Sequence, residues 1–287
     1  MKIAICGADG FIGSHLTEHL TKHNNQIFAI KRHHLLQEMV HGIHTDLQAI
    51  IEECSVIINL AGETIDQRWS AAAKQRIIES RVQTTRTIVA AINRTKTPKL
   101  LINTSAVGIY PSEGCHNDYS RAKSRSFLTQ VCRAWEKEAT RLDPKHDLAI
   151  TRFAVVLDKN GGALPKILST AKFGFLAQIG SPQRNFAWVD REDLVRAIAH
   201  IINHNDLRGT INICAPEQTT QQNLLNAAKK QLLQVKIVIP IPQFIIKLIR
   251  GEAATLILKG ECVVPEKLLK SGFTFLSQGI ESFFERY

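Results

Sequence analysis

Apolar residues follow two alternating spacings along this chain. Residues 2–6, 26–30, 55–60, 99–104 and 147–153 are short and nearly unbroken apolar runs. Such runs read as strands buried on both faces. Between them apolar positions recur every three or four residues. Examples are Phe11, Ile12, Leu16 and Leu20 within 11–21, and Ile77, Ile78, Val82, Ile88 and Ile92 within 71–93. Residues 124–142 carry a similar stripe. That spacing is one face of a helix. Strands alternating with helices predict an α/β fold: a Rossmann-type, doubly wound parallel sheet with helices on both faces.

After Leu157 the pattern loosens. A helix is expected from Gly161-Gly162 to Phe173. Strands are expected over 186–189 and 210–213, with a helix over 191–202 between them and another over 221–233. Beyond that, short helical patterns are punctuated by Pro240, Pro242, Gly251, Gly260, Pro265, Gly272 and Gly279. They suggest a small helical C-terminal cap on the substrate side of the sheet.

Composition narrows the picture. With 287 residues, 44% hydrophobic and 22% charged, the chain is ordinary for a globular protein, which excludes disorder and fibrous repeats. The six cysteines are scattered without any Cys-x-x-Cys spacing, so buried reduced thiols are expected, with no metal site and no disulfide framework. The most apolar late stretch, 237–249, is interrupted by Pro240, Pro242 and Lys247. It falls short of the roughly 20 apolar residues of a membrane span. The N-terminal apolar run is too short for a signal peptide. A soluble, cytoplasmic protein is the expectation. The net charge of +10 raises the question of a polyanionic partner. However, the basic residues form only local groups, such as Lys31-Arg32, with no aromatic-interleaved stripe. A phosphorylated small molecule is expected rather than nucleic acid.

The strongest motif is Gly7-Ala-Asp-Gly10-Phe11-Ile12-Gly13, which leaves the first strand and opens the first helix. Gly7 permits the tight turn, Gly10 lets a pyrophosphate approach the backbone, and Gly13 lets the helix pack on the sheet. The anion then meets free N–H groups at a positive helix end. Residues 1–230 therefore read as an NAD(P)-binding Rossmann domain with substrate-side insertions at about 157–187, and 231–287 as the helical segment. Where NAD-selective proteins place an acidic residue after the second strand, this chain has Lys31-Arg32-His33-His34. Those cations suit a ribose 2′-phosphate, so NADP(H) is expected over NAD(H). Asp46-Leu47 offers either an adenine contact or a helix N-cap.

The glycine spacing, followed by Asn59-Leu60-Ala61-Gly62-Glu63, resembles the extended short-chain dehydrogenase/reductase family. Arg68-Trp69, Lys74, Ser80-Arg81, the segment 105–110, Cys132-Arg133-Ala134-Trp135-Glu136, Gly161-Gly162-Ala163-Leu164, Ala187-Trp188-Val189 and Asn212-Ile213-Cys214-Ala215-Pro216 are similar to its sugar-nucleotide-epimerase-like subgroup. The resemblance runs through the C-terminal segment. It implies a cofactor site at Gly7, Gly10, Phe11, Ile12 and Gly13, with Lys31 and Arg32 at the adenosine ribose phosphate. It also implies Leu60 and Ala61 beside the cofactor ribose, Arg81 nearby, and Val156 near the nicotinamide. Arg81 reads equally as a helix-surface cation and Arg68 more readily as one, and Trp69, Trp135 and Trp188 read as core.

In the wider superfamily a Tyr-x-x-x-Lys pair and a nearby hydroxyl move the proton that accompanies hydride transfer. Tyr119 and Lys123 have that spacing, but anchoring on Trp135-Glu136 puts the pair at Leu128/Cys132 or Phe127/Val131. Tyr119/Lys123 is thus either a shifted working pair or a chance match. Anchoring on Tyr110 puts Ala106 where the hydroxyl should stand, with Ser105 or Thr104 as its neighbours; Ser105 is the candidate hydroxyl, and Tyr110 a further catalytic candidate. Arg184, in a loop, is a candidate for a substrate phosphate; Arg152 and Asn212 are further polar candidates, and Asp190 reads as an N-cap. Two functions follow from the resemblance. One is an NADP-dependent epimerase, dehydratase or reductase acting on a nucleotide sugar or small carbonyl. The other is an NADP(H)-binding sensor or scaffold with little turnover. By analogy the two long helices, 71–93 and 124–142, offer a homodimer face.

Overall fold

A computed structural model describes residues 1–41, 46–121 and 124–286. The N-terminal elements are β1 (Lys2–Cys6), α1 (Phe11–Lys22), β2 (Gln26–Ile30), α2 (Arg32–His41), α3 (Asp46–Glu53), β3 (Val56–Asn59), α4 (Ala71–Asn93) and β4 (Leu100–Ala106). There follow β5 (Cys115–His116), α5 (Phe127–Ala139), β6 (Asp147–Phe153), β7 (Val155–Asp158), β8 (Gly161–Gly162), α6 (Leu164–Ile167), β9 (Phe175–Ile179), β10 (Trp188–Asp190), α7 (Arg191–Asn203) and β11 (Gly209–Ile213). The chain ends through α8 (Gln221–Gln231), β12 (Ile237–Ile241), α9 (Gln243–Arg250), α10 (Thr255–Leu258), β13 (Cys262–Val263), α11 (Glu266–Lys270) and α12 (Ile280–Glu285).

Six strands form the central sheet in the order β11-β6-β4-β3-β1-β2, all parallel. Alternate residues of β1 face opposite layers. Ile3 and Ile5 join Leu16 and Leu20 of α1 and Ile198 and Ile201 of α7 in one core. Ala4 and Cys6 join Leu47 and Ile51 of α3 and Ile88 and Ile92 of α4 in the other. Each fully buried aliphatic side chain contributes about 1.5–3 kcal/mol. The expected Rossmann architecture is therefore present.

Winding reverses at β1. Helix α1 carries the chain to β2 on one side, and the return through α2 and α3 places β3 on the other. Loops leaving β1 and β3 diverge and open a crevice at the strands' carboxyl ends. A buried amide fixes the second loop. Asn59 Nδ2 donates to Asn103 Oδ1 at 2.8 Å and Thr85 Oγ1 at 3.0 Å, while Asn59 Oδ1 accepts from the Ala61 N–H at 3.2 Å.

Three sequence expectations are corrected. Gly161-Gly162 does not open a helix; it pairs antiparallel with β7, and the helix shrinks to α6. The hairpin is seated on Phe11, where a Cβ on Gly161 would come within 2.3 Å of the ring. The C-terminal segment is not purely helical: β12 pairs with β9 and β13 with β5, both parallel. Its Ile-Val-Ile-Pro-Ile run is β-branched, and Pro240 is tolerated because this two-stranded ribbon has only edges. Finally, the six thiols are not all reduced. The β5–β13 register places Cys262 directly beside Cys115, and the two form a disulfide. Their separation of 147 residues hid the pair. Cys6, Cys54, Cys132 and Cys214 are buried free thiols, as expected.

A Cβ on Gly13 would lie 2.0 Å from the Gly7 carbonyl oxygen. Overpacking of this kind costs about 1–3 kcal/mol. Gly13→Ala should lower the Tm by several degrees in a thermal melt; an unchanged Tm would contradict the tight seating of α1 on the turn.

Candidate functional site

The glycine turn lies at the crevice. Gly7 has φ +85°, and a Cβ there would press on the backbone of Leu60 and Ala61 at 3.3 Å. At the base of the crevice, before the loops diverge, the backbone after β1 and the backbone after β3 thus lie too close for a side chain at Gly7. The Gly10 amide donates to the Gly7 carbonyl at 3.1 Å, and Gly10 is the exposed N-cap of α1. No side chain caps that end and no acidic residue stands in the first turn. Helix N-termini normally have their free amides met by a side-chain oxygen. Left open, these amides and the helix dipole fit a pyrophosphate.

The expected ribose-phosphate cations lie beyond β2. Lys31 and Arg32 are exposed at the start of α2, and neither forms an ion pair among the described residues. Asp46 begins α3 while Leu47 is buried in the core. Ile12, Leu60, Ala106 and Val156 pack, partly buried, against the same core, giving an apolar floor over the strand ends. Arg81 is not a free surface cation. Its Nη1 donates to the carbonyls of Glu63 at 2.9 Å and Ile77 at 3.0 Å, and its guanidinium lies 5.0 Å over the Trp135 ring. Burial lowers its pKa. A Cβ on Gly62 would meet it at 2.8 Å, so Arg81 clamps the loop after β3. Arg68 is exposed, whereas Trp69, Trp135 and Trp188 are buried.

Ser105 and Tyr110 belong to a buried network at the end of β4. Ser105 Oγ donates to Glu136 Oε1 at 2.6 Å. Arg152 holds the same carboxylate with two bonds of 2.8 Å and donates through Nη1 to the Tyr110 hydroxyl at 2.7 Å. That hydroxyl lies 2.9 Å from Asn212 Oδ1 and 3.1 Å from the Asn117 carbonyl. Burial raises the Tyr110 phenol above its ordinary pKa. Burial opposes the Arg152 cation too, but Glu136 outweighs it and the net shift is upward. Ser105 and Tyr110 are 1% and 2% exposed, with their hydroxyls committed to these partners.

Tyr119 stands elsewhere. It is 63% exposed at the β11 edge of the sheet, with three strands between it and β1. Asp118 holds it there by accepting from the backbone amides of Asn212 at 2.6 Å and Lys267 at 3.0 Å. Lys123 lies outside the described residues. On α5, Leu128 lines a cleft and Cys132 Sγ lies 3.7 Å from the Ala106 carbonyl. Burial pushes the Cys132 thiol up to about 11, so it is neutral at physiological pH. Asp190 caps α7 by accepting from the Glu192 amide at 2.9 Å.

The cleft has a volume of about 600 Å³, and its lining includes Tyr110, Ser124, Ser126, Leu128, Arg184 and Glu261. Arg184 Nη1 donates to the Lys259 carbonyl at 2.9 Å, and its Nε is buried without a partner. Burial lowers its pKa. Glu261 was not singled out from sequence. Burial pushes its carboxyl up to about 7, partly offset by Arg184. The one local signal is Gly260, where a Cβ would fall 1.8 Å from the Asn185 carbonyl oxygen. Such close approach shows the tail folding onto the 181–185 loop.

Two outcomes follow. Arg152→Met should cost about 3–5 kcal/mol in chemical denaturation, since it strands the buried Glu136 charge; a loss below about 1 kcal/mol would contradict the network. Glu261 keeps its proton to about pH 7 in the folded state, against an ordinary value of 4.5. Its contribution to stability therefore falls as pH rises through that window. Glu261→Gln should be more stable than the parent above pH 7, with the advantage vanishing near pH 4; a pH-independent difference would contradict the burial of this carboxyl.

Residues 3–214 match the NAD dependent epimerase/dehydratase family, and residues 241–286 match a domain of unknown function, DUF1731. The chain is 31% identical to Epimerase family protein YfhF of Bacillus subtilis, over 98% of this chain and 96% of that protein. Its fold is similar to that of human epimerase family protein SDR39U1 (isoform 2) with NADPH, at a TM-score of 0.89 and 23% identity, covering 100% of this chain and 98% of that one. It is also similar to UDP-glucuronic acid 4-epimerase from Bacillus cereus in complex with NAD, at a TM-score of 0.76 and 17% identity, covering 99% and 98%. No helix among the described residues is long and apolar enough to cross a membrane. With both the glycine-turn sheet and the C-terminal segment matched, the chain belongs to the NAD dependent epimerase/dehydratase family, in its SDR39U1-like branch.

Proposed function

We propose that the chain is an NADP(H)-dependent epimerase, dehydratase or reductase acting on a small carbonyl or nucleotide-sugar substrate in the cleft beside Arg184. The observation that carries this reading is the uncapped N-terminus of α1, with Lys31 and Arg32 beyond the neighbouring strand and in no ion pair among the described residues. The amides after Gly10 would hold the diphosphate, and Lys31 and Arg32 the ribose phosphate. Leu60, Ala61 and Val156 would flank the nicotinamide half. The bound nucleotide would supply hydride chemistry. The human relative with NADPH supports this choice of cofactor, while the relative with NAD belongs to the same fold.

For proton transfer the cleft offers Glu261, a carboxyl near neutrality, which is the condition an efficient acid–base group needs. Ser105 and Tyr110 fit a positioning role, fixing the end of β4 through Glu136 and Arg152. Tyr119 fits no role in this reading. The second reading, an NADP(H)-binding sensor with little turnover, draws on one observation. Leu128 and Cys132, or Phe127 and Val131, stand on α5 where the family frame would place a tyrosine and a lysine. A carbonyl-substrate panel monitored by NADPH consumption separates the two.

NADPH should bind at least about tenfold more tightly than NADH, a difference of about 1.4 kcal/mol. Replacing both Lys31 and Arg32 with Ala should erase the preference and leave NADH affinity unchanged. Equal affinities in the parent chain, measured by calorimetry, would overturn the assignment.

A further inference from the structure

A second cavity, of about 650 Å³, lies on the other side of Arg184 from the polar cleft. Its walls come from β9 (Ile179), α8 (Leu224), β12 (Ile241), α9 (Ile245, Ile249) and α10 (Ile257). Arg184 lines both spaces. The volume is that of a small-molecule site, and the walls are mainly apolar, with polar groups confined to Arg184, Gln221, Ser169, Thr170 and the Asp66–Lys166–Arg250 rim.

One side of this space is polar. The Gln221 amide donates to the Arg184 carbonyl at 2.9 Å, which sets the two residues side by side. Gln221 is 6% exposed and its Oε1 has no partner, and Arg184 Nε is likewise buried and unpartnered. No carboxylate lies within ion-pair distance of Arg184 among the described residues. By contrast, the cations at the opposite rim, Lys166 and Arg250, are both paired with Asp66. A buried polar group left unpaired is costly, so such groups mark a place where a ligand completes the hydrogen bonding.

We propose that this cavity binds the hydrocarbon chain of an amphiphile whose oxygen-bearing head meets Arg184, so that polar cleft and apolar cavity form one bipartite site. This deepens the functional reading above, on which it rests for the chemistry at the head, and gives the substrate class as a carbonyl or carboxyl compound with an aliphatic tail. The tail gains the burial energy of its apolar surface. Arg184 divides the site and supplies the charge that selects an anionic or strongly polarised oxygen.

The test uses the full chain with sodium decanoate and 1-decanol as probes below their aggregation concentrations, by titration calorimetry, with NADPH titrated separately. Decanoate should bind with a negative heat-capacity change. Ala177→Phe, which places a ring in the cavity, should weaken both probes at least about tenfold, and so should Ile245→Asn. Arg184→Gln should weaken decanoate but not decanol. NADPH affinity should be retained in Ala177→Phe, which shows that the variant folds. Absence of binding by the parent chain would overturn the proposal. So would probe affinity that survives both cavity variants and falls instead with Phe244→Ser and Leu248→Ser on the exposed face of α9, because binding would then be adsorption to the surface. Decanoate binding without NADPH binding would uphold the cavity and refute the cofactor reading, so the two fail separately.

Discussion

The unsatisfied amino end of α1 is the constraint around which the rest of the molecule is arranged. A helix that begins on a glycine, with no capping side chain and no carboxylate in its first turn, leaves donors and a positive dipole end without a partner. The doubly wound sheet puts that end at the one place where flanking loops diverge. Gly7, Gly10 and Gly13 then keep side chains out of the space. Asn59 and Arg81 hold the opposing loop at backbone-contact distance from the turn.

The second organising feature is the way in which the C-terminal segment is tied back to the sheet. Asp118 bridges β11 and α11, the Cys115–Cys262 disulfide joins β5 to β13, and β12 extends β9. Arg286 and Ser277 both bond Asp190, the cap of α7. These ties shape the polar cleft, which Tyr110 and the half-buried Glu261 line. They also form the aliphatic cavity behind Arg184. The cleft and the cavity are therefore built by contacts between residues far apart in sequence.

Much of the sheet was legible from sequence because parallel strands buried on both faces leave unmistakable apolar runs, and α1, α4 and α7 carry clear periodic stripes. The glycine turn and Lys31-Arg32 were legible because their chemistry is local. What escaped depended on long-range pairing. The strand at 237–241 contains a proline and forms only against β9. The Gly161-Gly162 hairpin exists because Phe11 lies beneath it. The disulfide needs β5 and β13 in register. The proton-transfer candidates suffered in the same way: Tyr119 and Lys123 have the right spacing, yet Tyr119 is held at the β11 edge, while Glu261, whose carboxyl burial pushes up, reaches the cleft through the packing of Gly260 on Asn185, far earlier in the chain.

Amide hydrogen exchange across the glycine turn, with and without saturating NADPH, tests the central claim most directly. The account predicts strong new protection at the amides of Phe11, Ile12 and Gly13, accompanied by protection at Leu60 and Ala61. Exchange at those amides that stays the same when the nucleotide is bound, or protection confined to other parts of the chain, would contradict it.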